Sequence, residues 1–114
     1  MNKICTDIDQ SKKLIELGID VNTANMLWTY DFMVNDINGV NVISEQLKPE
    51  ENDIPAWSLT ALLKLMPKSM ISTPNPLSTN YCCRNVEFDI EFYADNPVDA
   101  AFEMICWLLE NKKL

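Results

Sequence analysis

The 114-residue chain contains no histidine, only two glycines and a single arginine, Arg84. Without histidine it cannot form Ser-His-Asp or Cys-His nucleophile pairs, and it lacks the most common ligand of catalytic zinc. Gly18 and Gly39 lie too far apart for a glycine-rich phosphate-binding loop. One arginine also leaves only one side chain for bidentate phosphate binding. The sequence therefore predicts a non-enzymatic protein with no catalytic residues and no cofactor.

Long apolar runs and paired metal-ligand motifs are also missing. No stretch approaches the roughly 20 apolar residues of a membrane helix, and Met1-Asn2-Lys3 leads into a polar segment without the apolar core of a signal peptide. The CxxC spacing of a zinc site is absent from the four cysteines, which are Cys5, Cys82, Cys83 and Cys106. We therefore expect reduced thiols, no metal site and a cytoplasmic location.

The charge balance is strongly acidic. Seventeen aspartates and glutamates against nine lysines and arginines give a formal charge of −8. This balance argues against binding to nucleic acid phosphates and to anionic membranes, since both require a basic surface. Three interpretations stay open: the charge keeps the protein soluble, attracts a basic partner, or imitates DNA toward a DNA-binding protein.

The length and the 47% content of hydrophobic residues predict one domain spanning residues 1–114. In its first part, a helix is expected from Thr6 to Leu17, with Thr6 as the N-cap and Gly18 as a left-handed C-cap. An alternating strand follows from Met26 to Met33. Asn38-Gly39 predicts a type I′ hairpin turn, in which Ile37 would pair with Val40.

The middle of the chain predicts a helix from Ile54 to Pro67. Pro55 suits the first helical turn, and an apolar stripe recurs at i, i+3, i+4 and i+7. The segment Pro67–Asn80 has three prolines and reads as a surface loop, with a short extended piece at Met70-Ile71. A binding lid is the functional alternative for this loop.

The last third predicts strands and a final helix. Val86 to Tyr93 alternates between apolar and acidic residues, and Tyr81 to Arg84 is a candidate strand before it. Asn96 and Pro97 have the cap and first-turn chemistry of a helix start. The resulting order, α-β-β-α-(β)-β-α, predicts an α+β fold with a small antiparallel sheet of three to four strands against about three helices.

The best chemical candidates are the carboxylates of Glu87, Asp89 and Glu91. On one strand they would project from the same face, about 7 Å apart per two-residue step. That spacing would suit a Mg²⁺ or Ca²⁺ site or the acid pair of a small carboxylate-dependent hydrolase. A solvated face that protects an edge strand is the alternative.

Two helices carry a second apolar side. On a helical wheel, Ala100, Met104 and Trp107 fall opposite the stripe that contains Val98 and Ile105. Trp57 likewise falls away from the apolar stripe of the central helix. Such faces either pack inside the chain or form an interface. We predict that these four residues contact another chain, most simply a second copy of the protein.

Three motifs carry a resemblance to a known group of proteins. They are CTDIDQSKKL at Cys5–Leu14, IPAWSL at Ile54–Leu59, and NPVDA with EMI within Asn96–Ile105. The chain resembles a family of uncharacterised short acidic proteins encoded by Bacteroides-type gut anaerobes and by their phages or mobile elements. The resemblance implies no established activity, cofactor or site residues.

Together these observations predict a cytoplasmic interaction protein that forms a homo-oligomer or binds a host protein. An acidic, DNA-mimic-type inhibitor from a mobile element is the alternative from another class. We expect no nucleic-acid, membrane or small-molecule ligand.

Overall fold

The computed structural model describes residues 3–73 and 80–114. Within these ranges the chain forms an α+β fold of three α-helices and two three-stranded antiparallel sheets. None of these helices is long and apolar enough to cross a membrane. The contacts divide the chain into two compact units, Cys5–Ser58 and Leu59–Leu114, and Lys3 and Ile4 belong with the second.

Helix α1 of the first unit spans Ile8–Glu16. Its N-cap is Asp7, not Thr6 as predicted, because Asp7 and Gln10 bond to each other's backbone N–H in a capping box. The predicted C-cap is confirmed. Gly18 has a φ of 99°, and the N–H groups of Gly18 and Ile19 bond to carbonyls of the last turn in a Schellman motif.

The first sheet has the strand order β2-β1-β3, with β1 at Met26–Asp31, β2 at Asp36–Val42 and β3 at Ile54–Ala56. The predicted turn at Asn38-Gly39 is wrong, since both residues lie inside β2. The pairing steps from Trp28–Val40 to Tyr30–Ile37, so β2 contains one extra residue. Gly39, with a φ of 87°, supplies the backbone conformation of this β-bulge.

The predicted central helix is shorter than expected. Its first residues, Ile54–Ala56, form the edge strand β3, where Pro55 pairs with Leu27. Proline is tolerated there because an edge strand has one side without ladder partners. Only Leu59–Leu65 is helical, as α2 of the second unit.

The second sheet has the order β4-β5-β6, with β4 at Ser69–Ser72, β5 at Tyr81–Asn85 and β6 at Ile90–Ala94. The predicted extended piece at Met70-Ile71 is confirmed as part of β4. The lid hypothesis for Pro67–Asn80 falls largely on residues 74–79, which lie outside the described ranges.

The predicted continuous strand from Val86 to Tyr93 is wrong in its first half, since residues 86–89 form a turn between β5 and β6. The side chain of Asn85 accepts the backbone N–H groups of Glu87 and Phe88, both at 3.0 Å, and Asp89 adopts a φ of 54°. These bonds favour a turn over extension of the strand.

Helix α3 spans Pro97–Glu110, and its predicted start is confirmed: the Asn96 side chain accepts the N–H of Asp99 at 2.8 Å. The helix packs on strands β5 and β6 and also on α2. It therefore buries residues on more than one side, namely Val98, Ala100, Ala101, Met104, Ile105, Cys106 and Leu108.

Candidate functional site

Among the residues that the structure describes, the most exposed apolar segment lies at the turn between β1 and β2. Phe32, Met33 and Val34 are exposed to 72%, 93% and 58%. Single exposed apolar residues are common on protein surfaces, but three successive ones at the end of a hairpin form a contiguous patch. We call Phe32–Val34 the hairpin tip.

The hairpin tip is held by hydrogen bonds from the strands beside it. One carboxylate oxygen of Asp31 accepts the N–H of Met33 at 2.8 Å, and the other accepts the Asn38 amide at 3.1 Å. These bonds, led by that from Asn38, lower the pKa of Asp31 below its usual value. Tyr30 donates its hydroxyl hydrogen to Asn35, which adopts the positive φ of 55° that closes the turn. The backbone of the tip is therefore pre-organised.

An acidic segment lies beside the hairpin tip. The rings of Tyr30 and Phe32 contact each other edge to face, with centroids 4.9 Å apart. They line a cavity of about 180 Å³ together with residues of the connector before β3, namely Glu50, Glu51, Asn52 and Asp53. Asp53 fixes this connector, because its carboxylate accepts the N–H groups of Tyr30 at 2.8 Å and Glu50 at 2.9 Å.

The negative charge of the chain is concentrated in the unit that contains the hairpin tip. Cys5–Ser58 has ten aspartates and glutamates and three lysines, so its formal charge is −7 out of the total of −8. The exposed apolar hairpin tip therefore belongs to the more acidic of the two units.

The residues predicted to contact another chain are mostly inaccessible. Ala100, Met104 and Trp57 have no exposed surface, so the prediction of an interface on them is corrected. For Ala100 and Met104 the reason is that α3 packs on both its sheet and α2. The Trp57 indole donates to Thr23 Oγ1 at 2.9 Å, as is usual for a buried tryptophan. Trp107 alone stays partly exposed.

The carboxylates of Glu87, Asp89 and Glu91 do not share a strand face. Glu87 and Asp89 lie in the turn, whereas Glu91 lies in β6. The Arg84 guanidinium contacts Asp89 at 2.8 Å and Glu91 at 3.8 Å. Within residues 3–73 and 80–114, no cluster of histidine, cysteine, aspartate or glutamate side chains is arranged to hold a metal ion. The strand-face spacing on which the shared cation site and the acid pair were predicted is therefore not what the three residues adopt.

The four cysteines are present as thiols and not as disulfides. Cys5, Cys83 and Cys106 are buried, and Cys82 is half-buried. Burial raises the pKa of the Cys83 thiol to about 11, which opposes formation of the reactive thiolate.

Comparison with protein-family models, with curated proteins and with solved structures finds no match. The resemblance to the short acidic Bacteroides and phage proteins therefore stays a prediction. The hairpin tip was not predicted from the sequence, because the alternation of β1 was extended through Phe32 and Met33. The signal that would have identified it is the apolar triplet between the turn formers Asp31 and Asn35.

Proposed function

We propose that the protein is a non-enzymatic, cytoplasmic interaction protein that binds another protein through the hairpin tip. The observation that carries the proposal is the exposure of Phe32, Met33 and Val34 on a turn fixed by Asp31. A pre-organised apolar tip loses little conformational entropy on binding, which favours its use as an anchor in a pocket.

The charge around the tip favours a partner that differs from this chain. Two copies meeting through their tips would bring together two units of formal charge −7, and like charges oppose association. A host protein with lysines or arginines around an apolar pocket would complement both the tip and the connector with Glu50 and Glu51. We therefore favour the host-protein form of the hypothesis over self-association.

The DNA-mimic hypothesis rests on the same acidic unit but makes a different demand. It needs carboxylates spaced like phosphates over one surface, and it assigns no role to an exposed Phe32 or Met33. Removing the tip side chains should therefore weaken binding under the host-protein hypothesis and leave it unchanged under the DNA-mimic hypothesis.

The test compares proteins captured from the native host by the wild type, by a tip variant and by a matched control. The tip variant is Phe32→Ala with Met33→Ala, and the control is Met70→Ala with Val86→Ala, which truncates two exposed apolar residues of the other unit. The captured protein is then purified and its affinity is measured by calorimetry. We expect the tip variant to weaken binding at least about 30-fold, the scale of an interface hot spot, and the control to bind like the wild type.

Two outcomes would contradict the proposal. Equal affinity of the tip variant and the wild type would show that the tip is not the contact, and displacement of the captured protein by DNA would then favour the mimic. The second outcome is measured by sedimentation. If the wild type is a dimer and the tip variant is a monomer, the protein bound at the tip is a second copy of this chain and not a host protein.

A further inference from the structure

A shallow slot on helix α3 combines aromatic and acidic side chains. Its volume is about 160 Å³, and it lies within the unit that contains Leu59–Leu114. The lining residues are Phe92 of β6 and five residues of the last turns of α3 and just beyond: Glu103, Cys106, Trp107, Glu110 and Asn111. No lysine or arginine lines this slot.

The helix spacing places the charges on either side of the indole. Glu103 precedes Trp107 by four residues and Glu110 follows it by three, so all three lie on one helix face. Within residues 3–73 and 80–114, neither Glu103 nor Glu110 takes part in an ion pair. Both carboxylates are exposed at the slot and lack a cationic partner there.

The lining therefore matches a cation that can also contact an aromatic face. Tryptophan binds cations on its ring more strongly than tyrosine or phenylalanine does. A neighbouring ring already makes this kind of contact, since Lys113 Nζ lies 5.4 Å from the centroid of Phe88. Lys113 is thereby placed on Phe88, which is not part of the slot.

We propose that this slot binds an arginine side chain of a protein partner. Arginine fits better than lysine because its planar guanidinium stacks on an indole and its five N–H donors reach carboxylates on both sides. The two unpaired glutamates supply the charge complementarity, and Trp107 with Phe92 supplies the apolar walls. The proposal is independent of the hairpin tip, which lies in the other unit.

The test titrates the full-length protein with N-acetyl-arginine amide and follows the three indole N–H signals by NMR. The Trp28 and Trp57 indoles are internal references, because each donates to a protein oxygen, Thr6 O at 3.0 Å and Thr23 Oγ1 at 2.9 Å. We expect a saturable shift of the Trp107 signal alone. The uncharged isostere N-acetyl-citrulline amide should produce no saturable shift, and N-acetyl-lysine amide should bind several-fold more weakly than the arginine probe.

The variant Glu103→Gln with Glu110→Gln removes both charges and keeps the side-chain shape. Because both residues are exposed, the fold should be unchanged, as circular dichroism would verify. We expect affinity for the arginine probe to fall about tenfold or more, since charge-assisted hydrogen bonds are lost. The matched control, Glu87→Gln, lies outside the slot and should bind like the wild type. Equal binding by the double variant, equal shifts with the citrulline probe, or shifts spread over all three indoles would each overturn the proposal.

Discussion

Thr6 and Trp57 are joined by two hydrogen bonds across 51 residues of sequence. The Thr6 N–H donates to the Trp57 carbonyl at 2.9 Å, and the Thr6 hydroxyl oxygen accepts the Trp57 N–H at 3.0 Å. The same hydroxyl contacts the Ser11 hydroxyl at 2.8 Å. Thr6 thus connects the start of α1 to the end of β3 within one unit.

Replacement of Thr6 by valine should lower the free energy of unfolding by about 1–3 kcal/mol. Valine keeps the shape, but it leaves the Trp57 N–H and the Ser11 hydroxyl without a buried partner. Urea unfolding of Thr6→Val measures the loss. Thr60→Val, at an exposed position of α2, is the control and should change stability by less than about 0.5 kcal/mol. Equal stabilities of the two variants would contradict the role given to Thr6.

Replacement of Gly39 by alanine should cost about 1 kcal/mol or more. The space around a Cβ atom at Gly39 is open, so the cost comes from the φ of 87° and not from a clash. Thermal unfolding of Gly39→Ala measures this cost, and Asn41→Ala on the same strand serves as the control. An unchanged melting temperature for Gly39→Ala would mean that the bulge does not need glycine.

Truncation of a buried methionine should lower stability far more than truncation of an exposed one. Met104 is fully buried in α3, so Met104→Ala should lower stability by about 2–5 kcal/mol through lost contacts and a cavity. Met33 is 93% exposed, so Met33→Ala should change stability by less than about 0.5 kcal/mol. Denaturant unfolding of both variants tests the burial of Met104. Similar small losses in both would restore the prediction that Met104 faces another chain.

Stability should fall as the pH rises from 9 toward 11, in part because of Cys83. The pKa of the Cys83 thiol is about 11 in the folded state, whereas an ordinary solvated thiol, as in the unfolded chain, has a pKa of 9.0. Between these two pH values the unfolded chain releases the proton first. The folded state then binds more protons, which lowers the free energy of unfolding by about 2 kcal/mol at pH 10.5.

The measurement for Cys83 is urea unfolding of the wild type and of Cys83→Ala at pH 8 and pH 10.5. The pKa of Tyr93 is likewise raised, from 10.0 to about 12, chiefly by its hydrogen bond to Glu91, and this contribution to the pH dependence is present in both proteins. The pH-dependent loss should therefore be smaller in Cys83→Ala. Identical losses in the two proteins would exclude Cys83 as a source.

The sequence by itself determined the elements whose ends are encoded by local chemistry. The start of α3 follows from Asn96 and Pro97, since a cap bonds to residues only a few positions away. The end of α1 follows from Gly18 in the same way. The α+β class also follows from periodicity, because helices and strands repeat their apolar residues at different intervals.

Only the tertiary structure decided how ambiguous local signals are used. Asn38-Gly39 can close a hairpin turn or form a β-bulge, since each of these structures needs a residue with a positive φ. The register of β1 against β2 selected the bulge. Two apolar helix sides can face another chain or the chain's own interior, and the packing of α3 on its sheet and on α2 buried Ala100 and Met104. The exposed tip at Phe32–Val34 follows from the same register: the pairing of Asp31 with Asp36 ends both strands before Phe32, and the strand propensity of each residue does not contain that register.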